Sequence, residues 1–82
     1  MPAPGYNLGL AQNALGQTDD AMESLVRGEA ADPEDARIPY ARATILAQLG
    51  RNAEAVAAGR RVLELNPEAR EARELLQQLQ AR

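Results

Sequence analysis

The 82-residue sequence predicts an all-α fold, a helical-hairpin repeat solenoid of about five antiparallel helices. Three observations predict it. One phrase recurs at a long fixed interval, Gly and Pro punctuate each copy at the same points, and the apolar residues between them follow helical spacing. The chain therefore divides into two hairpins and a closing half unit, at about 2–35, 36–69 and 70–82, within one domain spanning 1–82.

The phrase is LGQTDDA from Leu15 to Ala21 and LGRNAEA from Leu49 to Ala55. Gly16 and Gly50, Ala21 and Ala55, and Pro33 and Pro67 are each 34 residues apart. Tyr6 and Tyr40, Arg27 and Arg61, and Glu34 and Glu68 keep that offset, and Gly9/Ala43, Met22/Val56, Thr18/Asn52 and Asp32/Asn66 follow it conservatively. Agreement concentrated on Gly, Pro and small residues marks a structural repeat, because those residues set turns and close approaches.

In the first unit, Leu8, Ala11 and Leu15 give the first helix an apolar face, and Gly16 stops it in the left-handed conformation. Thr18 is placed to cap the second helix, with Asp19 and Asp20 at its positive end. Ala21, Met22, Leu25 and Val26 form the expected inward stripe of that helix. Asp32-Pro33 closes the unit, since a residue before Pro avoids helical geometry. The third helix starts near Asp35–Arg37, because Pro39 is tolerated only in a first turn. Its stripe is Ile38, Ile45, Leu46 and Leu49. Gly50 stops it, Asn52 is placed to cap the fourth helix, and Ala55, Val56, Val62 and Leu63 point inward until Asn66-Pro67. In the closing segment, Ala69, Ala72, Leu75, Leu76 and Leu79 share one face opposite Glu, Gln and Arg, as a lid on the last hairpin would.

The stretch YNLGLAQNALGQTDDAMESLVRGEAADPED resembles the tetratricopeptide repeat family. The resemblance rests on the small residue inside the first helix (Gly9, Ala43), the turn Gly (Gly16, Gly50), the small residue early in the second helix (Ala21, Ala55) and the final Pro (Pro33, Pro67). It covers two repeats and a terminal capping helix, from about Gly5 to Arg82. Several positions depart from the family's pattern. Gly5, Pro39 and Arg73 stand where Trp is favoured, Gly59 where a bulky aromatic is usual, Gly28 for a usual Ala and Arg42 for a usual Leu. Gly28 and Gly59 inside helices each cost about 1 kcal/mol relative to Ala. With so short an array, stability is expected in the lower half of a range of roughly 4–12 kcal/mol. Gly59 is expected to let two helices approach, and Arg42 to pack its stem while its head stays wet.

The resemblance implies a right-handed superhelical stack whose first helices line a concave, protein-binding side. Helical spacing then selects Tyr6, Asn7, Leu10, Asn13 and Ala14 in the first unit and Arg37, Tyr40, Ala41, Thr44 and Gln48 in the second. Glu71, Glu74, Leu75 and Gln78 form a third row. The two Tyr rings either pack between neighbouring first helices or present their hydroxyls to a ligand, and the two roles are compatible. Some relatives clamp an acidic C-terminal carboxylate with Lys and Asn. Here the matching places hold Tyr6 and Leu10, and every basic residue is Arg, so no such clamp is expected.

Composition narrows the function further. There is no Cys and no His, which removes thiolate metal sites, disulfides and the commonest general base. Ser24, inside a helix, has no His to activate it, and no phosphate loop or dinucleotide fingerprint occurs, so neither an enzyme nor a cofactor is expected. Asp19-Asp20 needs no metal to account for it. A net charge of −3 with no basic patch argues against nucleic acid. No apolar run approaches the roughly 20 residues that span a bilayer, and Met-Pro-Ala-Pro-Gly does not read as a signal peptide. The Ala- and Arg-rich composition suggests a bacterial source. The compartment is left open, with cytoplasm the default and an exported parent protein compatible.

The expected function is a non-enzymatic module that binds a protein or peptide. The alternative is a scaffold element: the first helix shows Leu8, Ala11 and Leu15 to no preceding repeat, so the chain would form a homodimer there or end a longer array.

Overall fold

The computed structural model describes the backbone of residues 4–81 and the side chains of residues 9–81. Among the described residues there are five helices and no strand: α1 (Pro4–Ala14), α2 (Thr18–Ala31), α3 (Arg37–Gln48), α4 (Asn52–Leu65) and α5 (Arg70–Gln80). Helices α1 and α2 pack as one hairpin and α3 and α4 as the next. Helix α3 also packs on α2 and α1, and α5 closes against α4 and α3. The predicted all-α hairpin architecture is the observed one.

The two hairpin turns are the same turn. Gly16 and Gly50 have φ of 80° and 75°, which only Gly adopts without strain. The Gly16 N–H donates to Asn13 O at 3.0 Å and the Gln17 N–H to Gln12 O at 2.8 Å. Thirty-four residues on, the Gly50 N–H donates to Ala47 O at 3.1 Å and the Arg51 N–H to Leu46 O at 2.9 Å. This is a Schellman closure, and it satisfies carbonyls the helix end would otherwise orphan.

The capping expectation is corrected here. Helices α2 and α4 begin at Thr18 and Asn52 themselves, with Gln17 and Arg51 in the cap positions and no side-chain cap bond at either. The residue that finishes the first helix is also the one that starts the second, so Thr18 and Asn52 are carried one place into the helix. Helix α3 starts where Pro39 predicts, and Asp35 receives its backbone: Oδ1 accepts the Arg37 N–H at 3.1 Å.

Among the described residues the core consists of two clusters. Ala21, Leu25, Ile38, Ala41 and Ile45 join the hairpins, and Ala43, Leu46, Ala55, Ala58 and Leu79 fill the second hairpin and its lid. Met22 packs against both. Val26, assigned inward from the sequence, is 50% exposed, and Leu49 is 46% exposed. Ala11 is exposed and Leu15 is 75% exposed, while Leu8 lies outside the described side chains.

Gly9 and Gly59 are close-approach positions. A Cβ on Gly9 would stand 2.7 Å from Leu25 Cγ, and one on Gly59 would stand 3.0 Å from Leu76 Cδ2. Leu25 and Gly59 occupy equivalent places in the two units. In the second unit the space that Leu25 fills is taken by Leu76 from the lid.

Candidate functional site

Helices α1, α3 and α5 are neighbours, since α3 contacts both of the others. Where the start of α3, the end of α4 and the start of α5 converge, Ala36, Arg37, Tyr40, Val62, Asn66, Ala69 and Glu71 line a cleft of about 190 Å³. Each side chain is positioned by a local feature of the chain. Val62 is 3% exposed and comes from the inward stripe of α4. Asn66 and Ala69 come from the Pro67 turn, where the Ala69 N–H donates to Asn66 O at 3.1 Å and the Glu68 N–H to Asn66 Oδ1 at 3.3 Å. Tyr40 lies one helical turn beyond Arg37 and is half-buried.

The polar groups of the cleft differ in their engagement. Arg37 closes on Asp35 with two prongs, Nε to Oδ1 at 2.9 Å and Nη2 to Oδ2 at 2.6 Å. The hydrogen bond from Arg37 holds the Asp35 carboxyl below its ordinary range, and partial burial, which acts the other way, does not overcome it. The Tyr40 hydroxyl and the Glu71 carboxylate, by contrast, make no hydrogen bond or ion pair among the described residues.

A larger concavity of about 540 Å³ lies between Glu29, Arg42, Glu54, Ala57, Ala58 and Arg61. Its charges are already neutralised within the fold. Arg42 Nη1 meets Glu29 Oε1 at 2.8 Å, Arg51 meets Glu54 at 2.7 Å, and Arg61 meets Glu64 at 3.1 Å. Arg42 therefore does not hold a wholly wet head, because it spans from α3 to α2 with 28% of its side chain exposed and its Nε buried without a partner. None of the sequence-selected face residues lines this concavity. The smaller cleft is the better candidate, because its Tyr40 hydroxyl and Glu71 carboxylate have no partner among the described residues.

Of the sequence-selected residues, the cleft brings together Arg37, Tyr40 and Glu71. Leu10, Asn13, Thr44 and Gln48 do not line it. Leu10 is 41% exposed, Asn13 and Thr44 are half-buried and Gln48 is exposed. The Thr44 hydroxyl is spent on its own helix, donating to Ala41 O at 2.8 Å. Ala41, selected as a lining residue, is in the core at 4% exposure. Tyr6 and Asn7 lie in α1, and their side chains are outside the described residues. Sequence reasoning missed Ala36, Val62, Asn66 and Ala69. Val62 was legible as an inward residue, but periodicity does not say that an inward residue ends as the floor of a cleft.

Ser24 is 8% exposed, and its hydroxyl donates to Gln12 Oε1 at 2.6 Å. Among the described residues no group of three or more His, Cys, Asp or Glu could hold a metal ion. Among the same residues no helix is long and apolar enough to cross a membrane.

Comparison with curated proteins found no match. The family model described as tetratricopeptide repeat matches residues 6–35 and again 36–69, the two hairpins in turn. With more than half of the chain matched and the hairpins observed, the chain belongs to the tetratricopeptide repeat family, whose repeats are in general non-enzymatic protein–protein interaction modules.

Proposed function

We propose that residues 1–82 act as one non-enzymatic domain that binds a peptide segment of a partner protein along the face of α1, α3 and α5. Tyr6, Asn7, Leu10, Asn13, Arg37, Tyr40, Thr44 and Gln48 make up that face, and the cleft at Tyr40 is its anchor point. The observation that carries the reading is the pairing in one concavity of an apolar floor, at Val62 and Ala69, with a Tyr40 hydroxyl and a Glu71 carboxylate that make no hydrogen bond or ion pair among the described residues. Binding sites commonly combine apolar lining with a few convergent polar groups. The body measures 32 × 25 × 16 Å, so the face suits a short segment, no more than about nine extended residues.

Selection of binders from a random peptide library tests this directly. Tyr40→Ala and Tyr6→Ala should each weaken a selected peptide by about tenfold or more, as loss of an aromatic anchor does. Circular dichroism should stay helical. Peptides that bind both variants as they bind the parent chain would move the site off this face.

A second reading is self-association through α1. It is favoured by Leu15, which is 75% exposed, and by Ala11, which is exposed where its equivalent Ile45 is 2% exposed beneath the first hairpin. Sedimentation across a wide concentration range decides it, since a constant monomer mass removes this reading.

A further inference from the structure

We infer that the cleft between α3, α4 and α5 receives a basic side chain, Lys or Arg, of the bound peptide; this rests on the peptide-binding reading and specifies its chemistry. Size and lining come first. About 190 Å³ is the liquid volume of roughly six waters, enough for one long side chain. The floor and walls at Ala36, Val62 and Ala69, with the Tyr40 ring, are apolar and suit a methylene stem.

Charge decides what sits at the end of that stem. The cleft has two ionised groups, Arg37 and Glu71. Arg37 is engaged by Asp35 at 2.6 Å and 2.9 Å, so its positive charge is met inside the fold. Glu71 meets no cation among the described residues, so its carboxylate is the charged group of the cleft left to pair with a ligand. The face of Tyr40 attracts a cation through its ring quadrupole, and its hydroxyl, unbonded among the described residues, can accept a hydrogen bond. Glu74, one turn beyond Glu71 on α5, is exposed and adds a second carboxylate for a flanking basic residue. An aliphatic side chain would give neither Glu71 nor the Tyr40 hydroxyl a partner. An acidic side chain would face Glu71 with like charge. The net charge of −3 steers basic partners toward the chain.

The test uses three capped Ala-rich peptides that differ only at a central Lys, norleucine or Glu, followed by backbone amide chemical shifts of the intact chain. The Lys peptide should shift Ala36, Tyr40, Val62 and Ala69 and bind about tenfold more tightly than the norleucine peptide. Its advantage should vanish when ionic strength rises from about 0.01 M to about 1 M, which shortens the screening length from about 30 Å to about 3 Å. Glu71→Gln, at an exposed position, should reduce the Lys peptide to the norleucine level and leave the norleucine peptide unchanged. Equal binding of Lys and norleucine peptides, or a Lys preference that survives Glu71→Gln, would overturn the inference. So would the absence of shifts at the cleft with all three peptides. Library peptides that depend on Tyr6 and Tyr40 yet carry no basic residue would sink basic recognition while sparing the peptide-binding reading.

Discussion

Ser24 Oγ donates a 2.6 Å hydrogen bond to Gln12 Oε1 across the first hairpin, and the same two positions of the second hairpin are Leu46 and Ala58, which pack in one core cluster. One backbone arrangement thus accommodates a polar pair in one repeat and an apolar pair in the other. Losing a single partner strands the other, whereas replacing both by apolar groups is close to neutral. Gln12→Leu alone should cost about 1–3 kcal/mol, because it leaves the 8%-exposed Ser24 without an acceptor. Gln12→Leu with Ser24→Ala should return to the parent stability or exceed it. Urea midpoints of the four-member mutant cycle measure the coupling, and additive single effects would contradict it.

At Asn52 the structure reverses the sign expected from the sequence. A capping Asn replaced by Ala loses about 1 kcal/mol. Asn52 instead lies inside α4 with its Oδ1 buried and unpartnered. Asn52→Ala should raise stability by about 0.5–1 kcal/mol, through better helix propensity and relief of a stranded acceptor. Thr18→Ala should change it by less than about 0.5 kcal/mol. A fall in the thermal midpoint of Asn52→Ala would restore the capping role.

Gly9 and Gly59 should respond differently to the same added methyl. At Gly9 it would stand 2.7 Å and 2.9 Å from branched atoms of Leu25, which is fully buried and has nowhere to move. Gly9→Ala should therefore destabilise, with overpacking of about 1–3 kcal/mol outweighing or matching a helix gain near 1 kcal/mol. At Gly59 the contacts are 3.0 Å and 3.2 Å to the side chain of Leu76, which retains 8% exposure on the lid. Gly59→Ala should stay within about 0.5 kcal/mol of the parent, since a small shift of Leu76 offsets the gain in propensity. Chemical denaturation of both variants decides the contrast.

Asp35 sets part of the acid limb of stability. Its carboxyl is held below its ordinary value of 3.8 in the folded chain, chiefly by the Arg37 hydrogen bond. A depressed carboxyl contributes stability that is complete above its unfolded value and is lost as pH falls through the folded one. The parent chain should exceed Asp35→Asn in thermal midpoint at neutral pH, and the gap should close below about pH 4. A gap that persists unchanged at pH 2 would assign the difference to something other than this ionisation.

Local chemistry was enough to determine the five helices, both Gly turns, the late start of α3 after Asp32-Pro33, and the lid face at Ala72, Leu76 and Leu79. Each follows from backbone freedom at Gly, the ring of Pro or the 3.6-residue period, which act within a few residues and repeat with the sequence. Helical spacing put Arg37 and Tyr40 on one side of α3, and the choice of that side came from what the resemblance implies. Tertiary structure decided the rest. It placed Val26 outward, because the stripe that α2 buries is only as wide as the helices laid against it. It moved Thr18 and Asn52 out of the cap, because the closing bonds of one helix use the residue that starts the next. It filled the space at Gly59 with Leu76 from a helix 17 positions on. It also joined Tyr40, Val62 and Glu71, from three different helices, into one cleft. Helical periodicity assigns a residue to a face, but which faces meet, and what space they leave between them, depends on packing between segments distant in sequence.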